Sequence, residues 1–150
     1  MAWCISLPPA RAEPSIAWED LIKTITIVGH NISDIPSFYA EINRVMMADE
    51  SWALGESLDA FDDLFYGGYG AIAGHADVTI VWQDIETSRS ALGYETTRAF
   101  LRGKLRHPEI YDIAAIGRQL DALENGDGRT YFETVVAIVG DHDHVTLVGA

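Results

Sequence analysis

Four carboxylates, Glu56, Asp59, Asp62 and Asp63, lie among apolar residues in the stretch WALGESLDAFDDLFYGG, from Trp52 to Gly68. Side chains of this type suit three kinds of chemistry. A carboxylate pair with split pKa values can serve as general acid and base in a hydrolase. Carboxylates joined by histidines can hold a cation, and the run DHDH, Asp141 to His144, supplies those ligand types. Carboxylates on a rigid surface can also receive the Arg, Lys and His groups of a basic partner. Neighbours in an extended DHDH run point to opposite sides, and His30, His75 and His107 are scattered along the chain. That run reads as a solvated turn before a strand. As a hydrolytic pair, Asp59 and Asp63 would sit on a small exposed helix with no cleft predicted. The spacing favours the partner-binding reading.

Other constellations carry less. YGGYG, Tyr66 to Gly70, is glycine-rich, but no Lys follows it and the spacing is wrong for a phosphate loop. It reads as a flexible exit from the acidic segment. Cys4 is the single cysteine, which excludes a disulfide within these 150 residues and a cysteine zinc site, and fits a reducing cytoplasm. No Ser-His-Asp or Cys-His arrangement can be argued. No cofactor and no metal is expected.

The elements that must position the acids follow from periodicity. A helix from about Ser57 to Tyr66 advances about 100° per residue. Leu58, Phe61, Leu64 and Phe65 then share one arc, and Asp59, Asp62, Asp63 and Tyr66 share the opposite one. Asp59 and Asp63 are i, i+4 neighbours that repel by a few tenths of a kcal/mol, on the order of 0.3. Ser57 suits the N-cap, and Asp59 suits the positive end of the helix dipole. An acidic helix face is by default a solvated surface. Two features argue for more than that here. Ordinary surfaces mix both signs of charge, but no Lys or Arg occurs from Val45 to Ser88, an interval with nine acids. Trp52, Tyr66 and Tyr69 flank the acids, and such aromatics are enriched at interfaces.

The net charge of −13 excludes nucleic acid and anionic membranes as partners and favours basic ones. Six of the ten basic residues lie between Arg98 and Arg129, so the negative field belongs to the first half. No apolar run approaches a membrane span. Residues 1–22 read as a loose leader, whose Pro-Ala-Arg-Ala only loosely resembles a signal cleavage site. Residues 23–150 read as a single domain. KTITIVG, Lys23 to Gly29, is a strand by alternation. Ile35 to Met47 is an amphipathic helix with Pro36 in its first turn. ADVTIVW, Ala76 to Trp82, is a near-continuous apolar strand, as expected when both faces are buried. Asp84 or Thr87 caps a helix ending near Gly93. Tyr94 to His107 is helical despite Gly103. Ile113, Ile116, Leu120 and Leu123 mark a further helix, closed by ENGDG. Tyr131 to Val139 fits a helix or a strand, with helix preferred, and HVTLVGA is a strand. Strands separated by helical connections predict an α/β domain with a small parallel sheet.

The acidic segment resembles the signature of the barstar family, intracellular inhibitors of barnase-type ribonucleases. The family pattern runs aromatic, aromatic, Gly, x, Asn, Leu, Asp, Ala, Leu, x, Asp, x, Leu, x, Gly. Gly55, Leu58, Asp59, Ala60, Asp63 and Gly67 match it. ITIVGHNISDIPSFYAEI is similar to the family's first strand, turn glycine and first helix. VTIVWQDIETSRSALG is similar to its central strand and following helix, and HVTLV to its last strand. Together these cover about residues 23–94 and 130–150. The resemblance implies a barstar-like α/β fold, a three-stranded parallel sheet packed with helices. It implies a stoichiometric inhibitor of a secreted, cytotoxic ribonuclease, with no chemistry of its own. The cationic cleft of such an enzyme holds phosphates, which carboxylates on a rigid helix can replace. Steering of this kind is the family's own, taken over with the resemblance.

By residue match, Asp63 is the main anchor and Asp59 supports it. Trp52, Leu54, Gly55, Ser57, Tyr66 and Gly67 build the surrounding surface, and Asp62 adds charge. Departures from the pattern are specific. Ala53 and Leu54 replace the paired aromatics, Ser57 the Asn, and Asp62 the aromatic before the second Asp. Of two acidic positions near the family's last helix, one is Ala137 here and the other is Asp141, which alone can keep the role. Residues 95–129 look like a helical insertion. The expected partner is a basic ribonuclease or a related toxin domain. The alternatives are an acidic module of the same fold for another basic or regulatory protein, and a metal-dependent hydrolase using Asp59, Asp63 and the DHDH run.

Overall fold

The alternating sequence IKTITIV forms strand β1, Ile22–Val28, with Ile25 and Ile27 buried and Thr24 and Thr26 outward. It is the first element of a computed structural model that describes residues 22–150. Residues 1–21 of the expected leader, Cys4 included, thus lie outside the described residues, while Ile22, counted with it, opens β1. A short 3-10 turn, Gly29–Asn31, leads into helix α1, Ile35–Met46. Its start is a capping box. The Asp34 carboxylate accepts from Ser37 N at 2.8 Å, and Ser37 Oγ accepts from Asp34 N at 2.9 Å. Hydrogen bonding to the carboxylate by the Ser37 side chain and amide holds the Asp34 carboxyl below its usual value. Helix α2, Leu58–Leu64, carries the acids, and strand β2, Asp77–Gln83, follows. Helices α3, Ile85–Ala91, α4, Tyr94–Leu105, α5, Ile113–Glu124, and α6, Tyr131–Gly140, lead to strand β3, Val145–Gly149.

The protein is a small α/β fold whose sheet, in order β1-β2-β3, is parallel throughout. Ile25 pairs with Ile80 and Ile80 with Leu147, so these three share the inward face. Val78, Ile80 and Trp82 meet Phe38, Ile42, Phe61, Phe65, Phe132 and Val135 in one core. The opposite face is exposed at Ile22, Thr24, Thr26, Thr146 and Val148 and half-buried at Thr79 and Val81. This corrects the expectation that β2 is buried on both faces. Its outward residues gain shelter from the strands on either side.

Two local features fix the carboxyl ends of β1 and β2. Trp82 Nε1 donates to Ser88 Oγ at 2.9 Å, and Ser88 Oγ donates to Gly29 O at 3.1 Å, all buried. Gly29 is required by proximity, since an added Cβ would lie 2.2 Å from Gln83 O and 2.6 Å from Asp84 O. Asp84 does occupy the N-cap of α3, but in the left-handed region at φ 50° and with no side-chain cap bond. Its carboxylate instead faces His30 Nδ1 at 3.7 Å.

Helices α4 and α5 form a hairpin with a small core of its own, Leu101, Ile116 and Leu123. Thr97 joins it to α6. Its Oγ1 accepts from Tyr131 N and donates to Gly93 O, both at 2.7 Å. Phe100 meets Tyr131 edge-on, with centroids 5.4 Å apart.

Candidate functional site

Helix α2 forms because Ser57 caps it and its apolar residues find the core. Ser57 Oγ accepts from Ala60 N at 3.3 Å. Phe61, Leu64 and Phe65 are at most 1% exposed, and Leu58 packs against the same core. Asp59 and Asp63 stand on the outer face, exposed. No ion pair among the described residues involves either of them or Glu56. Four arginines find carboxylates elsewhere: Arg44 with Glu41, Arg89 with Glu86, Arg98 and Arg102 with Glu124. Two acids are thus held beside each other with their repulsion unrelieved.

The segment around them is tied down at both ends. The Asn43 side chain on α1 grips the backbone of Leu54, donating to its O at 3.2 Å and accepting from its N at 2.7 Å. On the far side, Glu50 accepts from Gly70 N at 2.9 Å, and Ala71 N donates to Met46 O at 2.7 Å. Gly70 has φ +80°, and a Cβ there would lie 2.9 Å from Met46 O. The acids therefore ride on a braced segment, which lowers the ordering cost of binding.

Aromatic rings border the acidic face. Trp52, 47% exposed, packs on Tyr69 at 4.8 Å between centroids. Partial burial and the nearby Asp63 charge push the Tyr69 hydroxyl above its usual pKa. Tyr66, 73% exposed, stands edge-on to His142 at 5.1 Å.

Three residues differ from their expected roles. The Leu54 side chain is 5% exposed and belongs to the core, so only its backbone serves the site. Asp62 is not a free member of the acidic row, because its Oδ1 accepts from His142 Nε2 at 2.7 Å. His142 is no solvated turn residue either. It is 8% exposed and lies against the rings of Phe65 and Tyr66. Asp141, its neighbour in the chain, is exposed at the end of α6. Gly55 is exposed, and Gly67, with φ +79°, ends the helix.

Sequence reasoning passed over Asn43, read His142 only as part of the DHDH turn, and counted Glu50 only as charge. Nothing local in the chain marks them, since each acts on residues brought near by the fold. The fold also brings a cation close. Lys104 of α4 lines a groove of about 410 Å³ with Glu56, Ser57 and Asp59. Among the described residues no three His, Cys, Asp or Glu side chains converge on a cation-sized site, so the DHDH run and the acids of α2 are not gathered as ligands. No helix among them is long and apolar enough to cross a membrane.

No family model and no curated protein matches the chain.

Proposed function

We propose that the protein is a stoichiometric inhibitor of a basic, secreted-type ribonuclease, held in the producing cell's cytoplasm and similar in mode to the barstar family. The observation that supports this is the pair Asp59 and Asp63. Both are exposed on a short helix braced by Asn43 and Glu50, and no cation among the described residues neutralises them. Two carboxylates so held match the phosphate subsites of a cationic cleft. Binding is then occlusion, with Asp63 as anchor, Asp59 beside it, and Trp52 and Tyr66 as apolar margins. Long-range attraction speeds the encounter and falls with salt.

The test is a titration of the protein into a barnase-type ribonuclease while RNA cleavage is followed. Inhibition saturates at one equivalent, and Asp63→Ala raises Kd at least a hundredfold, mostly through faster dissociation, the order expected for a central charged contact (~3 kcal/mol). No inhibition by folded protein overturns the ribonuclease assignment. A second target class, another basic toxin domain, draws support from one feature. Lys104 and the α4–α5 hairpin border the acidic face, so the surface offered to a partner is not uniformly acidic.

A further inference from the structure

A cleft of about 360 Å³ lies between the start of α2, the α4–α5 hairpin and the first turn of α6. It follows the seam between the two hydrophobic clusters, and Phe100 packs against both. Leu58, Phe100, Leu101 and Ala122 give it an apolar wall. Its hydroxyls are engaged within the fold. Thr97 serves Gly93 and Tyr131, Thr134 donates to Thr130 O at 3.1 Å, and Tyr131 shares a 2.5 Å bond with Tyr39. Lys104, Gln119 and Arg129 also line the cleft. None of these three side chains has a hydrogen-bond or ion-pair partner among the described residues.

Lys104 is the informative group. Its ammonium stands 4.4 Å from the Phe100 centroid and 5.1 Å from that of Tyr111. Burial pushes its pKa below the usual lysine value. Two rings replace only part of the hydration that an ammonium loses on burial, and charges so placed are ordinarily met by an anion. Glu56 and Asp59 line the adjoining groove but do not pair with it.

We propose that this cleft is a binding site for a small aromatic carboxylate. The charge is met by Lys104 and Arg129, Gln119 adds a donor, and the flat body lies along Phe100 and Leu58. A few convergent polar groups on an apolar wall are the usual make-up of a small-molecule site. The cleft adjoins the groove that Asp59 lines but takes neither Asp59 nor Asp63 as a contact, and the proposal does not depend on the ribonuclease reading.

The experiment uses the full chain, labelled with nitrogen-15, and the probe 2-naphthoate, with the neutral 2-naphthamide as comparison. The expected result is saturable shifts at the amides of residues 97–104 and 119–134, with the amide probe binding about tenfold more weakly or worse. Lys104→Met weakens naphthoate binding by about tenfold, and Arg129→Gln, at an exposed position that leaves the core alone, by several-fold (~3 to 10). The absence of saturable shifts, equal binding of the two probes, or shifts that map elsewhere overturns the proposal.

Discussion

The imidazole of His142 donates from Nε2 to Asp62 Oδ1 across 2.7 Å, joining the acidic helix to the turn that precedes β3. The histidine is buried and the aspartate side chain is 40% exposed. Asp62 and Asp63 are therefore adjacent in the chain but opposite in purpose. One fastens α2 to the rest of the fold, and the other points out from it.

That contrast is measurable. Asp62→Ala removes the partner of a buried imidazole and should lower stability by about 1–2 kcal/mol. Asp63→Ala should change stability by less than about 0.5 kcal/mol, because its carboxylate makes no internal bond among the described residues. Urea unfolding of the two variants checks this, and equal losses would refute the division of roles.

Asn43→Ala should act on the site from a distance. Both backbone groups of Leu54 lose their bonds, at a cost of about 1–3 kcal/mol. Hydrogen exchange at the Leu54 amide should rise well above that of the core strands. If the proposed inhibitor reading holds, affinity for the ribonuclease should fall as well, because the acids then have to be ordered on binding. Unchanged exchange would show that the grip on Leu54 is not what braces the segment.

Glu41 predicts an acid-side loss of stability. The residue is buried on α1, and burial by itself would raise its pKa. Bonds from the Arg44 guanidinium, the Asn31 side chain at 3.0 Å and the Val28 amide outweigh that and hold the carboxyl below its ordinary 4.5. A folded value lower than the unfolded one contributes stability above the unfolded pKa. The contribution is lost as pH falls through the folded pKa. Glu41→Gln should cost about 1–3 kcal/mol at neutral pH, less than a fully buried pair, since the Arg44 side chain is 55% exposed and can return to water. Its stability should also fall less steeply than wild type between about pH 5 and pH 3. Parallel slopes in thermal melts would remove Glu41 as the cause.

Gly29→Ala should cost about 3 kcal/mol or more, since the methyl group would meet two backbone carbonyls rather than a side chain that can move. Ser88→Ala is the milder comparison. It leaves the Trp82 indole N–H buried without its acceptor, at about 1–3 kcal/mol. Denaturant midpoints that rank these two in the reverse order would contradict the close-approach argument.

How far the sequence could be read depends on which interactions are local. The burial of Phe61, Leu64 and Phe65 opposite Asp59, Asp63 and Tyr66 follows from helical spacing alone, and the structure has it so. The three parallel strands were equally legible, because propensity and apolar pattern agree there, whereas the Val-rich run 131–139 fits a helix or a strand and proves to be the preferred helix. Asp62 was not. Spacing gives its angle on the helix, but only the fold places His142, eighty positions along the chain, against it. Leu54 reads as loop, and its burial is set by the Asn43 amide on another element. Glu41 shares a helix with the apolar stripe of α1 and is buried because Arg44 pairs with its charge and Asn31 donates to it, which periodicity does not report.

The sheet carries one further consequence, in time rather than in space. Ile22 pairs with Asp77 and Val78 with Val145, so neither ladder joins residues near each other in the chain. Every strand pairing must close a long loop before it gains anything, and the central strand has to wait for both neighbours. The six helices supply local contacts beside these ladders, so folding should be slower than for a helical bundle of this size and faster than for an all-β barrel, in the range of mixed α/β domains.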